Sequence, residues 1–236
     1  MNEIKLSKRL QAVADAVPEG ASLADIGSDH AYLPCFLSLA GKIRAAIAGE
    51  VAVGPYSSAK SQVDRLHLGD VVSVRLGDGL EVIRQGEVDV VVIAGMGGPL
   101  IADILQRGKE KLSAVRRLVL QPNVEAEGVR TWLVDHGWEL RHESILEEDG
   151  HIYEILTAEP GNPHRPYVGT GRQGLLYGPF LMKERNSVFL KKWRLQLRHW
   201  KKIEKQMIQA AETEQLVQKK RQLRKRIAET EELLNE

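Results

Sequence analysis

The chain has 236 residues, 43% hydrophobic and 28% charged, a composition that suits a globular protein of one large domain or one domain with an appendage. It holds no run of about 18 apolar residues and a single cysteine, Cys35, which excludes a transmembrane helix, an internal disulfide framework and a cysteine-rich metal site. The net charge of +1 hides an asymmetry: residues 1–163 carry 16 Lys and Arg against 24 Asp and Glu (net −8), residues 164–236 carry 17 against 8 (net +9), so the tail suits a polyanion or is a solvated basic hairpin.

In chain order, Leu6, Leu10, Val13 and Val17 recur at helical spacing. They predict an N-terminal surface helix rather than a signal peptide, and hence a cytosolic protein. Strand-like runs follow at residues 22–27, 44–50, 71–76, 88–94 and 117–121, several of them near-continuous Val, Ile, Leu and Ala. Such runs suit strands covered on both faces. Helical patterns at 54–65, 99–111 and 125–135 fall between them, the order of βαβ units around a parallel sheet. Residues 138–146 and 151–158 read as two further strands around a turn at 148–150, and so short a connection makes them antiparallel. Pro160, Pro163, Pro166 and Pro179, among five glycines, mark 159–179 as a boundary or wrapping segment.

Beyond it, Leu190, Trp193, Leu197, Trp200, Glu204, Met207 and Ala211 alternate at spacings of three and four, and Leu216, Lys220, Leu223, Ile227, Thr230 and Leu234 repeat the pattern. These imperfect heptads are long enough for two packed helices. A reversal at residues 210–214 would make them an antiparallel hairpin. No Gly or Pro marks it, so one continuous helix is the alternative. The two tryptophans at seven-residue spacing are read as core rather than as platforms for nucleobases.

The first strand runs into Asp25-Ile26-Gly27-Ser28-Asp29-His30. An acidic side chain followed by a glycine turn lets the backbone approach a nucleotide-like ligand closely. Only one of the three glycines of the dinucleotide fingerprint is present, and a tight turn alone would also explain Gly27. Glu50 ends the second strand, where a carboxylate can accept from both hydroxyls of a ribose. Asp78, in Gly77-Asp78-Gly79, follows the third, where it can accept from an adenine amino group. The fourth runs into Ala94-Gly95-Met96-Gly97-Gly98, whose bare backbone leaves room for a reacting centre. Singly, each carboxylate is an ordinary loop residue; together they line the ligand-binding edge of an open α/β sheet. The histidines other than His30 show no metal-ligand spacing, and no metal is expected.

This order of elements resembles a class I S-adenosylmethionine-dependent methyltransferase, an α/β Rossmann-like sheet. More narrowly, Ala24-Asp25-Ile26-Gly27-Ser28-Asp29-His30-Ala31-Tyr32-Leu33-Pro34, then Ala94-Gly95-Met96-Gly97-Gly98, Leu120-Gln121-Pro122-Asn123 and Tyr177-Gly178-Pro179-Phe180-Leu181, resembles the bacterial tRNA (adenine-22-N1)-methyltransferases of the TrmK type over nearly the whole chain. The resemblance implies a catalytic domain at residues 1–160 that binds S-adenosyl-L-methionine, a connecting segment at 161–180, and a basic antiparallel coiled-coil hairpin at 181–236 that binds tRNA. A cytoplasmic monomer, without metal or membrane attachment, is expected.

Carried over by position, the resemblance puts the donor's methionine moiety beside Asp25, Gly27, Asp29 and His30, its ribose on Glu50 and its adenine on Asp78 and Gly79. Ala94 and Gly95 would lie beneath the sulfonium. Asp29 stands where the broader methyltransferase pattern has glycine, and is the leading catalytic candidate. Neutral adenine already carries a lone pair on N1, so the site needs no strong base. It must align N1, methyl carbon and sulfur, and stabilise positive charge spreading over the purine. Asp29, accepting from the adenine amino group, would do both. Asn123 could hold the base edge and Tyr32 could stack on it, with an Asx turn and a packed tyrosine as the plain alternatives. His30 could orient Asp29 or cap a helix. The chain lacks the Asn/Asp-Pro-Pro-aromatic loop that accompanies methylation of exocyclic amines in similar enzymes, which points to a ring nitrogen. Lys191, Lys192, Arg194, Arg198, Lys201 and Lys202 are the expected phosphate contacts. Competing readings are a methyltransferase for another RNA, a protein or a small molecule, an NAD-dependent oxidoreductase, whose ribose Glu50 would also suit, and a non-catalytic RNA-binding protein.

Overall fold

Val90, Val91, Val92 and Ile93 are all buried, and alternate residues belong to two hydrophobic clusters. A continuous apolar run of this kind is a central strand with both faces covered. The computed structural model describes residues 5–208 and 214–235. Its strands are β1 (Ala21–Ile26), β2 (Ile43–Glu50), β3 (Val72–Leu76), β4 (Val90–Met96), β5 (Arg117–Pro122), β6 (Trp138–Glu148) and β7 (His151–Pro160), in the spatial order β3-β2-β1-β4-β5-β7-β6. The first five pair in parallel, and β7 runs antiparallel to β5 and β6. This is a Rossmann-like α/β sheet. Its order reverses between β1 and β4, so the switch point lies at their carboxyl ends.

Helices α1 (Lys8–Ala16), α2 (Tyr32–Leu39) and α3 (Val53–Arg65) contribute Val13, Leu33 and Ala59 to the cluster that holds Val90 and Val92. Helices α4 (Gly98–Arg107) and α5 (Ala126–Asp135) contribute Ile101 and Trp132 to the cluster that holds Val91 and Ile93. The helix expected over 99–111 ends at Arg107. Gly108 packs so tightly that a Cβ there would lie 2.5 Å from that of Leu80, and a 3-10 turn, Lys109–Ala114, follows.

Helix α1 is clamped to the sheet at both ends. Ser7 caps its first turn, and Glu148 of β6 accepts from the amides of Lys8 (2.6 Å) and Arg9 (3.1 Å). At the other end, Arg117 of β5 and Lys42 donate to the carbonyls of Ala16 (3.0 Å) and Ala14 (2.8 Å). Negative charge at the amino end and positive charge at the carboxyl end both match the helix dipole. Three side chains, Glu148, Arg117 and Lys42, therefore hold this short helix, and with it Arg9, in one place.

Residues after β7 do not hang free as a connector. A 3-10 turn (Arg165–Tyr167), α6 (Gly171–Tyr177) and α7 (Pro179–Glu184) follow, and the first of two compact units runs Met1–Lys183. Their anchor is a buried ion cluster. Arg130 of α5 donates from Nε to Glu143 (2.6 Å) and from Nη2 to Glu154 (2.7 Å), and from Nη1 to the carbonyl of Leu175 (3.2 Å). Glu143 also accepts from the Phe180 amide at 3.0 Å. Gly178 adopts φ +89°, and a Cβ there would sit 2.7 Å from the Arg130 guanidinium, so Tyr177-Gly178-Pro179 needs its glycine. Deleting one partner of such a cluster leaves a buried charge, a loss of about 3–5 kcal/mol.

The second unit, Glu184–Glu236, contains α8 (Ser187–Ile208) and α9 (Glu214–Asn235). Lys201 pairs with Glu231 (2.5 Å) and Glu204 with Arg224 (2.8 Å), so the helices are antiparallel and the single continuous helix is overturned. Of the expected reversal at 210–214, residues 210–213, Ala211 among them, lie outside the described residues, and Glu214 already begins α9. Trp193 and Trp200 are buried with ring centroids 6.2 Å apart, and Phe189 lies 6.3 Å from Trp193. They are core. No helix among the described residues is long and apolar enough to cross a membrane.

Candidate active site

The strands end nearly level, with Ile26 paired to both Gly49 and Ile93. Past Ile26 the chain turns sharply. Gly27 adopts φ +69°, and a side chain there would collide with the Met96 methyl group. The amides of Gly27 and Ser28 both donate to the Gly49 carbonyl, at 2.9 and 3.2 Å. Asp29, His30 and Ala31 then follow with φ of 43°, 65° and 56°, three consecutive non-glycine residues in the left-handed region. Each costs on the order of 1 kcal/mol or more, and such strain gathers at working sites. Here it directs the Asp29 amide to the Glu50 carboxylate and leaves the Asp29 side chain 78% exposed.

Behind this turn lie two buried acids. Asp25 is 4% exposed and accepts from the Ser28 hydroxyl at 2.5 Å. Burial pushes its acid up to about 7; Ser28 and Arg9 pull it down, while Glu50 and Asp29 push it up. Glu50 is 5% exposed and is also raised, by burial first, with the Asp29 amide and then its charge acting in opposite senses. Its Oε1 is buried without a hydrogen-bond partner among the described residues. Orphaned buried oxygens are rare in native proteins, and this one suits a donor from a ligand. His30 Nε2 lies 3.6 Å from Asp29 Oδ1, and its ring is 5.5 Å from that of the half-buried Tyr32. It does not cap α2, whose N-cap is Ala31.

Asp25, Asp29, His30 and Glu50 thus form one electrostatic group. Asp78 stands apart, one strand farther out, where the Gly77 amide continues the pairing onto Glu50. Its carboxylate is gripped by Arg107 of α4, which holds it below the usual carboxylate range. Gly79 beside it has φ +54°, close against Ile104.

The opposite wall comes from β4 and β5. The register slips between Ala94 and Met96, and Gly95 adopts φ +81°. Gln121, fully buried, accepts through Oε1 from the Gly95 amide (3.0 Å) and from Arg9 Nη1 (2.7 Å), and donates through Nε2 to Asn123 (3.1 Å). Asn123 donates in turn to the Gly95 carbonyl at 2.7 Å. Its exposed amide is oriented at both ends yet keeps one N–H and one lone pair. Arg9, Gln121 and Arg107 were not singled out from the sequence. Arg9 and Gln121 are 112 positions apart and leave no local signal, although Gln121 does sit inside Leu120-Gln121-Pro122-Asn123. Among the described residues no cluster of three or more His, Cys, Asp or Glu could hold a metal ion.

Residues 23–232 match the profile of the family described as tRNA (adenine(22)-N(1))-methyltransferase, TrmK. The chain belongs to this family. A tRNA (adenine(22)-N(1))-methyltransferase of Bacillus subtilis (strain 168) is 53% identical over 100% of this chain and 99% of its own. The crystal structure of the B. subtilis M1A22 tRNA methyltransferase TrmK superposes with a TM-score of 0.94 at 52% identity, covering 98% of this chain and 99% of that one. A Streptococcus pneumoniae protein in complex with S-adenosyl-L-methionine matches with a TM-score of 0.86 at 42% identity, over 98% of this chain and 100% of that one. Membership of the TrmK family sets aside the oxidoreductase and non-catalytic readings that Glu50 and the basic tail would admit on their own.

Proposed function

We propose that the chain transfers the methyl group of S-adenosyl-L-methionine to N1 of adenosine 22 in tRNA, the reaction its family's description names. The observation that carries the donor assignment is the partnerless Oε1 of Glu50, which a ribose hydroxyl would satisfy. Asp78, kept ionised by Arg107, accepts from the donor's adenine beside Gly79. Asp25 faces the donor's ammonium group, with Gly27 and His30 around the methionine. The bare backbone at Ala94 and Gly95 leaves space beneath the sulfonium.

Bound there, the donor presents a methyl carbon that N1 attacks with its lone pair as the carbon–sulfur bond breaks and its electrons return to sulfur. No proton need move. Asp29 accepts from the target's amino group, which fixes the ring angle and offsets the positive charge growing on the purine. The exposure and strained backbone of Asp29 support this role. Asn123 offers its remaining N–H and lone pair to the base edge, and Tyr32 a ring face.

The basic residues of α8 supply the phosphate contacts. Lys191, Arg194, Arg198 and Lys202 are exposed, Lys192 lies over the Trp193 ring, and Lys201 shares its charge with Glu231. Replacing Lys191, Arg194, Arg198 and Lys202 by alanine together is expected to weaken tRNA binding at least about tenfold and to flatten its salt dependence by up to about four counterions. S-adenosylhomocysteine binding should not change. Equal tRNA affinity in the variant would make the second unit purely structural. The reaction itself is tested with unmodified tRNA and radiolabelled donor. Digestion should yield labelled 1-methyladenosine, lost when adenosine 22 is replaced by guanosine; label in any other nucleoside would refute the assignment.

A further inference from the structure

Transfer to N1 leaves little of an adenine free to be recognised. Its Watson–Crick edge faces the methyl group, and there N1 and the amino group present the same lone pair and donor as N3 and the amino group of cytosine. A carboxylate such as Asp29 accepts equally from either base. What separates the two is N7, an acceptor on the other edge of adenine that cytosine lacks. Reading it requires an N–H of fixed direction, whereas a side-chain amide is free to turn over. The Asn123 amide is not free, because both ends of its hydrogen-bond chain are backbone groups of Gly95, whose roles cannot be exchanged. The Gly95 N–H and Arg9 Nη1 both donate to Gln121 Oε1, at 3.0 and 2.7 Å, so Nε2 is the end that donates to Asn123 Oδ1, at 3.1 Å. Asn123 Nδ2 then donates to the Gly95 carbonyl at 2.7 Å. Gln121 is fully buried, and Arg9 is itself held with Cζ 5.5 Å from the centre of the Tyr153 ring. The loop beneath is equally fixed. The Asn123 amide donates to the Met96 carbonyl (2.7 Å), the Gly98 amide to the Val124 carbonyl (2.9 Å), and a side chain at Gly98 would collide with the Glu125 carbonyl.

Resting on the acceptor assignment above, we propose that Gln121 is a positioning residue that fixes the sense of the Asn123 amide, and that Asn123 is thereby the contact that selects adenine over cytosine. The remaining N–H of Asn123 donates to N7, and its remaining lone pair accepts the amino hydrogen on that side, the pairing by which asparagine reads adenine. Asp29 takes the other amino hydrogen, beside N1.

The test uses the full chain and two ligated tRNAs, one with adenosine and one with 7-deazaadenosine at position 22. The analogue replaces N7 by C–H and keeps N1 and the amino group; its N1 is the more electron-rich, so intrinsic reactivity would favour it. The unaltered enzyme is expected to methylate the analogue about 3- to 10-fold more slowly in kcat/KM, the range of one hydrogen bond. Gln121→Glu keeps the shape and both acceptances, with Arg9 beside the new charge, and loses the donor to Asn123. It should be slower on adenosine and show no preference between the two tRNAs. A merely structural loss would slow both equally and leave the preference intact, which would overturn the role of Gln121. Asn123→Ala, at an exposed position, should erase the preference as well. Equal rates for the unaltered enzyme on the two tRNAs, or a preference retained in Asn123→Ala, would overturn the N7 contact. Failure of the unaltered enzyme to form 1-methyladenosine in the adenosine tRNA would instead refute the acceptor assignment itself.

Discussion

Asp29→Ala is expected to lose methyl transfer by about 100-fold or more in kcat, while S-adenosylhomocysteine binds within about threefold of normal. The two readouts separate because Asp29 acts in two ways. Its amide, which alanine retains, serves Glu50 and hence the donor. Its carboxylate, 78% exposed, is available to the incoming base. Removing that carboxylate also relieves a repulsion that Asp25 and Glu50 both feel, so the thermal midpoint should not drop on electrostatic grounds. Alanine at φ +43° is strained, and Asp29→Asn is therefore the informative companion, because asparagine tolerates the left-handed region. Asn keeps an acceptor for the adenine amino group and loses the charge. An intermediate rate assigns part of the effect to positioning and part to charge. Normal turnover in Asp29→Ala would remove Asp29 from the chemistry.

The second large effect has two opposite signs. Asp25 is a buried acid whose folded-state value of about 7 stands well above the ordinary 3.8, with burial as the main cause. The folded protein therefore holds a proton that the unfolded chain releases between those values. Its contribution to stability is full below pH 4 and is lost as pH rises through 7. Asp25→Asn cannot ionise and escapes this loss. At pH 8 the ligand-free variant should melt higher than the unaltered protein, by at most about 4 kcal/mol, on the order of 10 °C, and the gap should close towards pH 4. Donor affinity should move the other way, because asparagine offers no charge to an ammonium group. In the unaltered protein that affinity should rise with pH up to about 7, and binding near pH 6 should release a proton detectable in buffers of different ionisation enthalpy. A lower melting point for Asp25→Asn at pH 8, or unchanged donor affinity, would contradict this assignment. An acid kept at a cost in stability is typical of a site selected for binding.

Much of this architecture was legible from local pattern. The runs containing Val90 to Ile93 and Leu118 to Leu120 announced central strands, because residues covered on both faces carry no polar alternation. The short turn before His151 required an antiparallel pair. Asp25, Glu50 and Asp78 could be placed at one sheet edge, since parallel strands joined by helices bring their carboxyl ends to the same side. Register was less legible at element ends. The heptad reading of α9 ends on Leu234, whereas Leu233 is the buried residue beyond Thr230. Helix 99–111 also overran Gly108, where the constraint is the side chain of Leu80 rather than anything local.

What depended on contacts between distant residues could not be read this way. A spacing pattern marks Arg9 as an exposed helix position, because helical periodicity registers only which residues are apolar. Its importance comes from Gln121, Tyr153 and Gly95, which the sheet brings to it. In the same way Asp78 acquired Arg107, and the proline- and glycine-rich segment near residue 170 acquired its anchor in Arg130, Glu143 and Glu154. From the amino-acid order alone came the class of fold, the split between acidic body and basic tail, and the types of side chain at the ligand edge, all properties of residues near one another in the chain. The tertiary structure decided which of those side chains meet, which are already engaged, and which cation faces the acids, since electrostatic and hydrogen-bond partners are set by distance in space.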